Sequence, residues 1–486
     1  MTTQSLETPK PFLIGSEWVH TPHVQPVLNP YTQQVFAHVC VAGQPEISSV
    51  LQSTTDAFSA LKKVPAYARA RALRQIADTL QRRREEFAKT ICAEAGKPIT
   101  DSGREVDRAI QTFLIASEES TRISGETIPM DRMPGMEAFS AVLQRFPIGP
   151  VLGITPFNFP LNLVAHKVAP CLAAGNPIVI KPAPQTPLTA LLLGEVIRET
   201  DLPPGSMDVI PCDNQMAETL VLDDRFRAVS FTGSVAVGWM LKAKAGRKRV
   251  LLELGGNAGV IIEPDADIET AVQRCVVGGM GYSGQTCISV QRMYVQETIY
   301  EGVVGKLVER VRQVEVGDPG KTETVVGPLI DERAARRVEA WVQEAEKQGA
   351  RVRTGGTRDG SVMHPTVLTD VDAKMKVSCE EVFGPVITVT PYQDFDDALA
   401  LLNHSSYGLQ AGIFTQNIQN MHRAYEHLDV GAVLINEIPT FRADHMPYGG
   451  VKDSGLGREG VKYAIQELTE PKLLIVNVPD RLEREQ

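Results

Sequence analysis

The stretch RAVSFTGSVAVGWMLKAKAG, Arg227 to Gly246, decides how this chain folds. A short apolar run with β-branched residues ends at Thr232-Gly233, and a helix-like stretch opens at once behind it. The same rhythm surrounds it. VLGIT, NPIVIKP, MDVIPC and RVLLELGG recur between Val151 and Gly256, with helix-like segments such as TPLTALLLGEVIRETD between them. Strands that alternate with helices imply βαβ units and a parallel sheet covered on both faces. Beyond Gly256 the alternation resumes with longer helices, IYEGVVGKLVERVRQVEV and DERAARRVEAWVQEAEKQG, which indicates a second α/β domain. Upstream, ARARALRQIADTLQRRREEFAKTICAEAG spaces its apolar residues by three and four and stops on Gly96, a helical pattern that continues to about Gly125. MEAFSAVLQRFPIGPV alternates like an extended ribbon, and EPKLLIVNVP is a strand outside the main rhythm that can pair with the ribbon or with another subunit.

A chain of 486 residues exceeds what one hydrophobic core supports, so two or more domains are expected. The net charge of −10 argues against nucleic-acid or anionic-membrane partners. The amino-terminal segment lacks a basic start followed by an apolar run, and no stretch approaches the ~18 apolar residues of a membrane span. The seven cysteines are scattered, odd in number and without a CxxC pair, which fits reduced thiols in a cytoplasm and no zinc site. The histidines show no metal-ligand spacing.

Four segments can carry chemistry. SFTGSVAVG follows a strand and opens a helix, the arrangement in which helix amides hold a pyrophosphate. Its spacing, Gly233-x4-Gly238, differs from the usual dinucleotide fingerprint, and a turn that merely needs glycine reads the same way. Lys181 stands at the end of the NPIVIKP strand, where α/β sheets bind ligands; a lysine that snorkels to solvent fits equally. Glu253 ends the LLELGG strand, where lost hydration raises a carboxyl pKa towards that of a general base, unless the group only caps the turn. Asn158 in TPFNFP has an amide able to hold an oxyanion, or to brace a turn. A fifth segment, YSGQTCISVQR, sets Cys287 between a polar turn and a strand, as a nucleophile or as small core filler.

Taken together, and with EEVFGP and MPYGGVKDSGLGREG in the same order, these segments resemble the aldehyde dehydrogenase superfamily from GSEW to EPKLLIV. The resemblance implies that the Cys287 thiolate attacks an aldehyde, and that Asn158 and the Cys287 backbone N–H hold the oxyanion. It implies that hydride leaves to NAD or NADP, and that Glu253 activates the water that hydrolyses the thioester. It puts Lys181 on the adenine ribose, Gly233 and Ser234 at the pyrophosphate, Glu381 on the nicotinamide ribose, Phe383 beside the ring, and Thr155 and Pro156 along it. Lys167 and Glu459 match positions in the hydrogen-bond network around thiol and water, or form a structural salt bridge.

One departure concerns the cofactor. NAD-preferring members carry a glutamate three residues after the lysine, and here Pro184 stands there, so NADP is admitted. For the substrate, Asn162, His166 and Arg442 point to a small polar or acidic aldehyde, or else brace the loops. The implied architecture is a Rossmann-like cofactor domain over about residues 1–129 and 147–253, rejoined by 450–469. A catalytic α/β domain takes about 254–449, and a small β oligomerisation element about 130–146 and 470–486. A homodimer or homotetramer follows from the family. The rivals are a coenzyme-A-acylating dehydrogenase, an acyl-phosphate reductase, and a silent nucleotide-binding scaffold. The retained Glu253 argues against the first two, and the complete Cys–Glu–Asn set against the third.

Overall fold

A computed structural model describes residues 8–478. Residues 1–7 and 479–486, the outer ends of the expected cofactor and oligomerisation segments, lie outside the described residues. Two separate sheets carry the chain. The eight-stranded sheet runs Glu17–Val19, Phe12–Ile14, Met207–Val209, Ile178–Lys181, Val151–Ile154, Ala228–Thr232, Arg249–Glu253 and Gly455–Leu456. Its five central strands are parallel. Both edges are antiparallel. The central strands are short and almost wholly buried, which is why they read as continuous apolar runs instead of alternating ones.

Strand order locates the ligand crevice. From Val151–Ile154 the chain steps outward through Ile178–Lys181 to Met207–Val209, then crosses back to lay Ala228–Thr232 on the other side of its first strand. The carboxyl ends of Val151–Ile154 and Ala228–Thr232 therefore diverge at a topological switch point, where open α/β sheets bind ligands.

The second sheet has seven strands: Arg351–Thr354, Thr366–Thr369, Val386–Tyr392, Arg292–Gln296, Gly259–Ile262, Gln410–Phe414 and Ala432–Ile435. All its pairings are parallel except the first, which is antiparallel. The helical run upstream of Val151 forms three helices, Ala66–Arg82, Arg84–Ala95 and Ile99–Ser120. Gly96 ends the second at φ 65°, a left-handed cap that suits glycine. Two buried glutamates from this layer cap helices of the sheet layer. Glu94 accepts from the N–H groups of Leu188 and Thr189, and Glu105 from those of Leu161 and Asn162. Each carboxyl group meets the positive end of a helix dipole.

The ribbon is a three-stranded antiparallel sheet in which Phe139–Pro147 lies between Thr469–Asn477 and Glu126–Ile128. Thr469 pairs with Pro147 and Asn477 with Phe139, so the terminal strand does join the ribbon. No helix among the described residues is long and apolar enough to cross a membrane.

Candidate active site

Thr232 and Glu253 are register partners at the ends of adjacent parallel strands. That pairing sets the Glu253 carboxyl beside the Gly233–Ser234 turn. The loop after Val151–Ile154 brings Pro156, Phe157 and Asn158 to the same opening, and the loop before Arg292–Gln296 brings Thr286 and Cys287 from the other sheet. Together they line a cavity of about 260 Å³, which Glu381, Phe383, Arg442 and Tyr448 complete.

Cys287 is half-buried, and its Sγ lies 3.0 Å from the Tyr448 hydroxyl. Burial pushes the thiol up to about 12, against the pull of the Tyr448 hydrogen bond. The resting sulfur is therefore protonated at neutral pH, and the site must remove that proton as it attacks. Asn158 donates from Nδ2 to the Gln285 carbonyl at 2.9 Å, two residues before Cys287. An amide nitrogen carries two hydrogens, so one remains for a ligand in the cavity.

Glu253 is buried, and its Oε2 has no hydrogen-bond partner among the described residues. Burial, then repulsion from Glu459, raises its carboxyl well above the ordinary range. Glu459 behaves oppositely. It accepts from Lys167 at 3.3 Å and from Arg442 at 2.9 Å. Burial would raise it, but these two cations outweigh burial and bring its carboxyl down to about 2. Two neighbouring carboxyls are thus driven apart, one held as carboxylate and the other made more basic by burial and by its neighbour's charge. The Arg442 guanidinium also stacks on the Tyr448 ring at 3.7 Å, which ties this pair to the thiol.

Arg108 and Asn162 also line the cavity. Asp444 holds both, accepting from the two Arg108 nitrogens at 3.2 and 2.8 Å and from Asn162 Nδ2 at 3.2 Å.

A family model described as the aldehyde dehydrogenase family matches residues 18–474. The chain belongs to the aldehyde dehydrogenase family. Among its relatives is the 3-sulfolactaldehyde dehydrogenase of Priestia aryabhattai, 43% identical over 96% of this chain and 97% of that one. Aldehyde dehydrogenase 21 of Physcomitrella patens, solved with its reaction product succinate, superposes with a TM-score of 0.95 at 42% identity, covering 98% of this chain and 100% of that one. The NADP-dependent glyceraldehyde-3-phosphate dehydrogenase of Bacillus halodurans, solved with NADP, gives 0.94 at 33% identity, covering 97% of this chain and 100% of that one. The protein is an NAD(P)-dependent aldehyde dehydrogenase.

The residues of this dehydrogenase fit a dinucleotide. Thr232 Oγ1, Thr286 Oγ1 and Glu253 Oε2 are buried atoms of cavity-wall residues with no partner among the described residues, and a ligand there would satisfy them. Ser234 caps the Val235–Lys244 helix without spending its hydroxyl on it. A Cβ at Gly238 would come within 2.4 Å of a Leu254 methyl, so glycine lets that helix pack on the strand end without displacing the leucine side chain. Lys181 is buried at the end of its strand and makes no ion pair among the described residues. Thr155 N–H donates to the Lys181 carbonyl at 3.2 Å, which joins those two positions. Glu381 Oε1 accepts from Gly256 N–H at 3.0 Å, and burial raises its carboxyl to about 7. Phe383 packs edge-on against Phe157 at 5.9 Å. No group of His, Cys, Asp and Glu among the described residues is arranged to hold a metal ion.

Of the residues singled out in the sequence, Cys287, Glu253, Asn158, Pro156, Gly233, Ser234, Glu381, Phe383, Asn162 and Arg442 all face this one cavity. Lys167 and Glu459 lie behind it as an ion pair. His166 does not face it. Its Nε2 donates to Asp444 at 2.8 Å, its Nδ1 is buried with no partner among the described residues, and burial lowers its pKa, so it braces Asp444 behind the wall. Tyr448 and Arg108 were not singled out. Tyr448 lay inside the MPYGG motif, which was a signal; Arg108 sits on an amphipathic helix, where a charge normally faces water. Cys40, Cys92, Cys171, Cys212 and Cys275 are buried free thiols, and Cys379 is exposed.

Proposed function

We propose that this enzyme oxidises a small aldehyde bearing an anionic group, with Cys287 as nucleophile, Asn158 as oxyanion donor and Glu253 as the base of hydrolysis. The observation that carries the reading is the convergence of Cys287, Asn158, Glu253, Arg108 and Arg442 on one cavity of about 260 Å³. Two arginines on the wall of that cavity suit a substrate that carries a negative charge.

Cys287 Sγ bonds to the aldehyde carbon as its proton passes out to solvent. Tyr448 donates to the sulfur anion. The free Asn158 N–H and the Cys287 backbone N–H stabilise the carbonyl oxygen as it gains charge. The bound NAD(P)+ supplies the hydride acceptor. Loss of hydride from the former aldehyde carbon leaves a thioester on Cys287. Glu253 then takes a proton from water, whose oxygen bonds to the thioester carbon; the acid leaves, and Glu253 returns that proton to the departing sulfur. Glu381, Phe383, Ser234 and Lys181 would hold the dinucleotide, and Lys167 and Glu459 keep a fixed charge behind Glu253.

Arg108 gives the substrate its chemistry. Asp444 fixes its fork while leaving the residue on the cavity wall, where a carboxylate or sulfonate could take a bidentate contact. The names of the 3-sulfolactaldehyde enzyme and the succinate-bound neighbour agree with such a group.

For assembly we propose subunit pairing through the ribbon. Its terminal strand exposes Leu473, Leu474, Ile475 and Val476 together, an apolar edge that a second copy would cover in a dimer or a dimer of dimers. Its unpaired thiols suit a cytoplasmic setting.

The test follows reduced-nicotinamide absorbance for anionic and neutral aldehydes with each cofactor, in wild type and Cys287→Ser. Turnover should favour the anionic aldehydes and vanish in the variant while cofactor binding persists. Better turnover of long alkanals would overturn the substrate reading, and an active serine variant the nucleophile.

A further inference from the structure

A buried ammonium lies between the two loops that must meet for catalysis. Lys97 sits in the turn after Gly96, with its side chain 1% exposed, paired with the fully buried Glu105. Its Nζ lies 3.5 Å from the centre of the Phe159 ring and 4.4 Å from that of Tyr282. Phe159 directly follows Asn158. Tyr282 stands five positions before Cys287, where the backbone is left-handed at both Tyr282 (φ 49°) and Ser283 (φ 56°). The two rings meet edge-on at 6.2 Å.

Further contacts of this cluster also hold those loops. Glu105 accepts from Leu161 and Asn162 N–H at 2.9 and 3.1 Å, which pins the far end of the Asn158 loop. The Tyr282 hydroxyl donates to the Ala95 carbonyl at 3.3 Å, two residues before Lys97. Ser283 Oγ donates to the Gly327 carbonyl at 2.9 Å, which holds the strained turn in place. A cation attracts the faces of both aromatic rings, so one group fixes both loops at once.

We propose that Lys97 and Glu105 are positioning residues that set the Asn158 amide against the Cys287 sulfur. Neither lines the cavity. They act through Phe159, Tyr282 and the start of the Asn162–Ala174 helix. An error of about 1 Å between oxyanion donor and nucleophile lowers rate strongly while leaving binding intact, which predicts a specific kinetic signature. The inference rests on the roles proposed above for Asn158 and Cys287.

The test uses the double variant Lys97→Met/Glu105→Gln, which removes both charges together and keeps a glutamine carbonyl for the two N–H groups. Hydride release in the first turnover should slow by about tenfold to a hundredfold. The aldehyde KM and the cofactor Kd should stay within about threefold, and Lys97→Arg should recover part of the rate. A first-turnover rate within about twofold of wild type would overturn the proposal, whatever the change in Tm. Should the double variant not fold, Tyr282→Leu removes one wall of the cage with both charges still paired, and it should show the same loss of rate at unchanged KM. An unchanged rate there overturns the proposal equally. Full activity in Asn158→Ala would instead overturn the role of the amide itself, so the two failures are distinguishable.

Discussion

The Tyr448 hydroxyl stands 3.0 Å from Cys287 Sγ, although 161 positions separate the two residues. Burial, then the neighbouring thiol, raises the Tyr448 phenol well above its ordinary value, so it stays a neutral donor. Its ring is fixed by the Arg442 guanidinium at 3.7 Å. A thiol pushed up to about 12 by burial thus has one donor ready to receive its anion.

Tyr448→Phe removes that donor and keeps the ring. A hydrogen bond to a charged group is worth about 1.5–3 kcal/mol, so the thiol should ionise at higher pH and react about tenfold or more slowly with iodoacetamide at neutral pH. The rate of alkylation against pH checks this. An unshifted profile would show that the phenol does not act on the sulfur.

Glu253→Gln should separate the two halves of the reaction. Thioester hydrolysis needs a base, whereas hydride loss needs only the oxyanion to collapse. The variant should give a burst of about one reduced nicotinamide per active site and then nearly stop, with the acyl group still on Cys287. Intact-protein mass spectrometry after the burst checks for that adduct. Linear, burst-free turnover at the wild-type rate would place the base elsewhere.

Glu459 controls where Glu253 titrates. Glu253 lies high because of burial and then because of the Glu459 charge, so activity should fall as pH drops through a value well above the ordinary carboxylate range. Glu459→Gln removes the repulsion and leaves Lys167 and Arg442 to favour the Glu253 anion. Both effects lower its pKa, so the acid limb of the kcat profile should move to lower pH. A limb that stays put or moves up would mean another group governs it.

These dependences mark the boundary of what the sequence discloses. The buried parallel strands of Val151–Gly256 were legible because a strand covered on both faces has nothing but apolar residues to show. Glu253, Asn158 and Cys287 each border such a run, but their position there fitted a turn cap, a turn brace or core filler as well, and only the order of the motifs around them singled them out. Arg108 was not, since its meaning comes from Asp444, 336 positions away on another element. His166 shows the converse. Every residue of the Asn162–Ala174 helix is buried, so its pattern cannot say which polar side chain faces the cavity and which is spent on a buried carboxylate.

Pro184 bears on the cofactor. It stands exposed, three residues beyond Lys181, with its carbonyl accepting from Gln25 Nε2 at 3.0 Å. No carboxylate at that position repels a 2′-phosphate, so NADP should serve the enzyme. Pro184→Glu should lower kcat/KM with NADP by about tenfold and spare or improve NAD. Strict rejection of NADP by the wild type would make the proline irrelevant.

Arg108 is the sharpest test of substrate class. Its guanidinium is held by Asp444, whose own carboxyl lies far below the ordinary range because His166 and Arg108 overcome the opposing effect of burial. That carboxylate stays ionised throughout the working pH range, so the arginine is kept in one orientation without being hidden from the cavity. In Arg108→Leu an anionic aldehyde loses a charge-assisted contact worth about 1.5–3 kcal/mol, which raises its KM by about ten- to a hundredfold. A neutral aldehyde of the same length never made that contact, and its KM should change by less than about threefold. The ratio of the two effects is the measurement, because general damage to the site would weaken both substrates alike. Equal losses for both would show that Arg108 braces the wall and does not read the substrate.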